Sequence, residues 1–92
     1  MIRSFRSKAL KRYAESGDRS KLSVANVERL DRILTRMNLV DRPEDMNRPG
    51  WRFHPLKGIM RGRYAVDASG NWRITFGWDG DDAVDVDPED YH

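Results

Sequence analysis

The apolar positions of this 92-residue chain change their period once, near Trp51, and the change divides a helical part from a strand part. Met1-Ile2-Arg3-Ser4-Phe5 alternates apolar and polar residues and predicts a short strand. From Ser7 to Glu15 helix formers dominate. Ala9, Leu10, Tyr13 and Ala14 share one face, Lys8, Lys11 and Arg12 lie outside, and Gly17 supplies a stop. Val24, Val27, Leu30, Ile33, Leu34 and Met37 then recur at helical spacings, which predicts a second helix capped by Ser20 or Ser23. Its outer face carries Glu28, Arg29, Asp31, Arg32 and Arg36, with Glu28 and Arg32 four apart in the supportive order. Those charges solvate the helix rather than mark a binding site. Pro43 can start one further helical turn through Met46, and Pro49-Gly50 closes the segment.

Beyond Trp51 the period is two. Trp51 and Phe53 alternate with Arg52 and His54 until Pro55 ends the run, and Lys57-Gly58 begins a polar connection. Tyr64 and Val66 repeat the alternation, and Ser69-Gly70-Asn71 is a turn. Trp72, Ile74, Phe76 and Trp78 form one face of the clearest strand, with Arg73, Thr75 and Gly77 on the other. Asp79-Gly80 signals a type I′ hairpin into a last strand over Ala83–Val86. Pro88 cannot donate to a ladder, so that strand is expected to end by Asp87. The order predicts a single α+β domain, residues 1–92: a short N-terminal strand and two helices packed on one face of a small antiparallel sheet. The opposite face would display Arg52, His54, Arg63, Arg73 and Thr75.

Composition narrows the function. A chain this short builds one core and has little room to enclose a large cofactor, so no cofactor is expected and the activity should sit on a surface. It has no cysteine, which removes disulfides, thiol nucleophiles and thiolate metal sites. No apolar run approaches the roughly 18 residues of a membrane span, and the N-terminus lacks the apolar stretch of a signal peptide; a cytoplasmic location is expected, with no membrane partner. The net charge of +2 hides an asymmetry: residues 1–63 carry +9 and residues 64–92 carry −7. Such a split points to a polyanion partner for the basic part, or to the two parts neutralising each other in the fold.

The chemistry centres on two histidines. His54 alternates with buried aromatics on the basic sheet face, and His92 ends a tail that the last strand would return toward the same sheet. Imidazoles titrate near neutrality; with Asp90 and Tyr91 beside one of them and Lys57 and Arg73 nearby, they form an acid/base pair among phosphate-binding cations. RNA cleavage by its own 2′-hydroxyl needs that set: a base for the hydroxyl, an acid for the leaving 5′-oxygen, and cations for the charge on the phosphorane. Tyr91, outside any apolar stripe, suits stacking on a base. A calcium loop fails at Ala83 and Val84, two histidines make a poor zinc site, and no Gly-rich phosphate loop or nucleophile elbow is present, so no metal is expected.

Four segments in order carry a resemblance: Met1-Ile2-Arg3-Ser4-Phe5, Phe53-His54-Pro55-Leu56-Lys57-Gly58, Asn71-Trp72-Arg73-Ile74-Thr75-Phe76 and Glu89-Asp90-Tyr91-His92. Together they resemble the HigB toxins of bacterial type II toxin–antitoxin systems, in the RelE/ParE superfamily, along the length of the chain. The resemblance implies a microbial-ribonuclease-like fold and a ribosome-dependent endoribonuclease that cuts translated mRNA in the ribosomal A site and so inhibits translation. It implies that His54, Asp90, Tyr91 and His92 are the catalytic group, with Lys57 and Arg73 against phosphate. It implies a HigA-like helix-turn-helix antitoxin as partner, alongside the ribosome and mRNA. Lys8, Lys11 and Arg12 are then the expected ribosomal RNA contacts. Pro88 departs from the family, where many members have an aromatic residue. Two other classes compete: a ParE-like non-nuclease toxin that inhibits DNA gyrase, which should lack the acid/base pair, and a non-catalytic RNA- or ribosome-binding module using the basic part alone.

Overall fold

The computed structural model describes residues 1–90. Two helices, α1 (Lys8–Ser16) and α2 (Val27–Leu39), precede a four-stranded antiparallel sheet in the order β1 (His54–Pro55), β2 (Arg63–Ser69), β3 (Trp72–Asp79) and β4 (Asp82–Asp90). The α+β architecture is the expected one. Among the described residues no helix is long and apolar enough to cross a membrane.

Local chemistry fixes the helix ends. Ser7 caps α1 by accepting from the Leu10 N–H at 3.1 Å, and Gly17, at φ +77°, ends it by donating to the Tyr13 carbonyl at 2.8 Å. α2 starts later than the apolar spacing predicts. Its cap is Asn26, not Ser20 or Ser23; Asn26 accepts from the Arg29 N–H at 3.1 Å and donates its own N–H to Ser69 Oγ at 3.3 Å. That second bond ties the start of the helix to the β2–β3 turn, an advantage invisible in local sequence. Val24 is buried all the same, from the loop ahead of the helix.

Leu30, Ile33, Leu34 and Met37 of α2 bury against Val66, Ile74, Phe76 and Val86 of the sheet, with Leu10 of α1 and Met46 in the same core. Burial of each such side chain stabilises by about 1.5–3 kcal/mol. Phe53, Tyr64, Phe76 and Trp78 continue it as a row of rings with centroids 5.6, 5.8 and 6.0 Å apart.

Four local readings need correction. The N-terminal segment makes two isolated parallel bridges along β4, Ile2 to Ala83 and Phe5 to Val86, rather than a continuous strand. β4 bulges there: Asp85 takes φ +52° and the register against β3 shifts between Thr75 and Gly77. The strand expected from Trp51 shrinks to His54–Pro55, because Arg52 at φ +53° breaks the alternation; Pro55 belongs to it, opposite Tyr64, on the edge of the sheet. β4 runs on through Pro88 to Asp90. Proline is tolerated because the hydrogen bonds from the N-terminal segment end at Val86, leaving β4 an edge beyond it. The β3–β4 loop is Gly80-Asp81 with positive φ at Gly80 and not at Asp81, which fits a type II′ turn better than type I′.

Candidate active site

Cross-strand partners place side chains on a common face, so the ladder maps the open side of the sheet. His54, Ala65, Thr75 and Asp87 occupy one row across the four strands; Asp67, Arg73 and Glu89 occupy a flanking row, and Arg63, Gly77 and Val84 the other. The helices cover the opposite face. His54 is therefore the edge member of a row bracketed by two arginine-bearing rows.

His54 is exposed, and its Nδ1 stands 2.7 Å from the Arg52 carbonyl oxygen. A carbonyl only accepts, so Nδ1 carries the proton in the neutral ring and Nε2 holds the free lone pair. The residue whose carbonyl meets the ring, Arg52, stands in left-handed backbone at φ +53°. Lys57 is exposed just ahead of a 3₁₀ turn, Gly58–Met60, whose first residue needs the glycine freedom of φ +70°. The Leu56 N–H donates to the Arg63 carbonyl at 2.8 Å and holds this segment against β2.

The centre of the face is a bonded chain. Arg63 Nη2 donates to Thr75 Oγ1 at 2.9 Å and to the Asp85 carbonyl at 2.7 Å; Thr75 Oγ1 reaches Glu89 Oε2 at 2.8 Å; Glu89 Oε1 accepts from Arg73 Nη2 at 3.3 Å. Thr75 is fully buried beneath these groups, although it lies on the face the helices do not cover. Burial, then the nearby Arg6 charge, pushes the Arg63 guanidinium below its ordinary value. Burial, then Glu89, pushes the Asp87 carboxyl up, with Arg6 and Arg63 opposing. At the margin, Arg52 Nη1 lies 3.6 Å from Asp67 Oδ2.

Residues 3–92 match the family described as the RelE-like toxin of type II toxin–antitoxin system HigB. "Endoribonuclease HigB" of Proteus vulgaris is 36% identical over 92 residues, the full length of both chains. The chain belongs to the HigB-like toxin family.

A toxin of a type II toxin–antitoxin system is paired with an antitoxin, so an antitoxin partner comes with the family. Of the residues singled out in the sequence, His54, Arg73 and the neighbouring Arg63 and Thr75 meet on or under the open face, and Lys57 follows β1. Asp90 ends β4 opposite Trp72, a position in the helix-side rows, while its neighbour Glu89 is opposite Arg73 on the open face. Tyr91 and His92 lie outside the described residues. Lys8, Lys11 and Arg12 are exposed on α1, in the helix layer, with Arg12 3.7 Å from Asp18. Sequence reasoning missed Glu89, Asp87 and Arg6 as site residues. The signal for Glu89 was present, since it alternates with Asp90 next to a strand; Arg6 depends on the N-terminal segment running beside β4, which no local pattern announces.

Proposed function

We propose that this toxin is a ribosome-dependent endoribonuclease that cuts mRNA in the ribosomal A site, with the RNA 2′-hydroxyl as nucleophile, and thereby stops translation. Endoribonuclease activity itself rests on family membership and on the full-length likeness to a named endoribonuclease. His54 and His92 share the acid and base roles, Asp90 orients or polarises an imidazole, Tyr91 stacks on a base, and Lys57 and Arg73 stabilise the phosphate. No cofactor enters this scheme, because the substrate supplies the nucleophile. Its partner is a HigA-like helix-turn-helix antitoxin, and action on ribosomes places it in the cytoplasm. Lys8, Lys11 and Arg12 contact ribosomal RNA.

The observation that carries this reading is the state of His54: an exposed imidazole whose Nδ1 is occupied by the Arg52 carbonyl, leaving Nε2 to exchange a proton, at the edge of a face bearing Arg63 and Arg73. General acid/base groups contribute about 10²–10⁴-fold. His54→Ala, and a chain ending at Tyr91, should each slow cleavage of a reporter mRNA on translating ribosomes by about that factor. Undiminished cutting by both variants would sink the assignment, and loss of gyrase supercoiling with the mRNA intact would replace it with the ParE-like reading.

A further inference from the structure

Arg63 belongs to none of the segments that carry the family resemblance, and the proposed reaction gives it no role. Its placement is nevertheless unfavourable on its own account. Nε is buried with no hydrogen-bond partner among the described residues, and burial also disfavours the charge. The side chain reaches toward β4 across Gly77, its ladder partner on β3. A Cβ built there would make ordinary contact with Arg63 Nη1 at 3.9 Å and press on Val84 Cγ2 at 3.2 Å, so the guanidinium runs directly over the glycine.

The bonds made at the end of that path have a fixed polarity. A guanidinium only donates, so Thr75 Oγ1 accepts from Arg63 Nη2 at 2.9 Å and its single proton goes elsewhere. Two acceptors are in reach, the Asp87 carbonyl at 3.3 Å and Glu89 Oε2 at 2.8 Å; the nearer, anionic oxygen takes it. Glu89 is then tied through Oε2 and turns Oε1 to Arg73 Nη2 at 3.3 Å. With Nη2 engaged twice and Nε buried, Arg63 is built as a brace. We infer that Arg63 is a positioning residue for Arg73: by setting the direction of the Thr75 hydroxyl it locks the Glu89 carboxylate, and through it the guanidinium that meets the scissile phosphate. The inference rests on the phosphate role proposed for Arg73.

A double-mutant cycle on translating ribosomes tests it, using the full chain with rates and KM measured separately. Arg63→Gln and Thr75→Val should each lower kcat by about tenfold with KM changed by less than about twofold, as expected when a charged hydrogen bond is lost and the transition state feels it most. Thr75→Ser, which restores the hydroxyl, should recover most of the rate, whereas a purely packing role for Thr75 would follow its lost methyl group instead. In an Arg73→Ala background, Arg63→Gln should cost less than about twofold more. Losses that simply multiply would overturn the brace, because Arg63 would then act on the RNA by itself. So would wild-type rates for Arg63→Gln. If Arg73→Ala alone cleaves at the wild-type rate, the phosphate role of Arg73 fails as well, a result distinct from a slow Arg73→Ala with multiplying losses.

Discussion

Arg52 occupies left-handed backbone at φ +53°, and its carbonyl accepts from His54 Nδ1 at 2.7 Å. The conformation that costs the arginine energy is the one that selects the imidazole tautomer. Arg52→Val should destabilise the fold further, by about 1 kcal/mol, because a β-branched side chain tolerates left-handed backbone less well than arginine, and should slow cleavage by moving the carbonyl off Nδ1. Arg52→Gly adopts the same φ without strain and should keep cleavage near the wild-type rate; its exposed pairing with Asp67 at 3.6 Å adds little to stability. Unfolding in urea and ribosome cleavage together separate the two variants, and equal behaviour would remove the link between this dihedral and the imidazole. At this scale the sequence was legible in part. Alternation put His54 on the open face correctly, yet for an incomplete reason: the strand assumed from Trp51 onward is interrupted at Arg52, and pairing of His54 with Ala65 restores the face. A positive φ at an arginine leaves no mark in composition or period, so it could not be read in advance.

β4 carries two carboxylates shifted in opposite directions. Hydrogen bonding to Arg3, at 2.9 Å to the nearer nitrogen, holds Asp82 below the ordinary carboxylate value. Asp82 therefore contributes stability that is present above the unfolded value of about 3.9 and is lost as pH falls through the lower folded value. Asp87 is raised, chiefly by burial and then by Glu89, so its contribution has the other sign: present below about 3.9, and lost as pH rises through its higher folded value. Melting temperatures followed by circular dichroism should show Arg3→Gln below wild type at pH 7, with the gap closing in acid below the carboxylate range. Asp87→Asn should melt above wild type at pH 7 and converge with it below pH 4. A gap for Asp87→Asn that widened in acid would contradict the burial argument. The elements themselves were largely visible as patterns: α1 with its Ser7 cap and Gly17 stop, α2 by its apolar spacing, β3 by alternation. What local pattern misplaced was set by partners far away in sequence. Asn26 wins the α2 cap because Ser69 receives its N–H, and Pro88 stays in β4 because the N-terminal segment leaves that edge at Val86.

Across the whole molecule, the +9 and −7 parts neutralise each other at specific places. The N-terminal amine and Arg3 meet Asp79 and Asp82, and Arg52 meets Asp67, each pair joining the basic part to the acidic one; Arg63 reaches Glu89 through Thr75. Internal pairing thus uses much of the acidic part, and it leaves exposed cations such as Lys8, Lys11, Lys21, Arg48 and Lys57 without an ion pair among the described residues. These are the groups free to meet a polyanion. The C-terminal segment proposed to take part in catalysis was legible as a motif and not as geometry, since Tyr91 and His92 lie outside the described residues and Asp90 is placed by its ladder partner Trp72. Charge makes a sharper statement about binding than about folding. The internal pairs are mostly solvent-exposed and each adds little to stability, so raising salt should barely move the melting temperature. Contact of about four to six lysines and arginines with RNA phosphates would weaken ribosome association by roughly 10²–10³-fold between 50 and 200 mM salt. Sedimentation of the toxin with ribosomes across that range measures the slope, and Lys8→Ala, Lys11→Ala and Arg12→Ala should each lower it by about one phosphate contact. A slope near zero would show that the basic part of the chain serves the fold and not the ribosome, and one unchanged when all three are replaced would remove α1 from the contact.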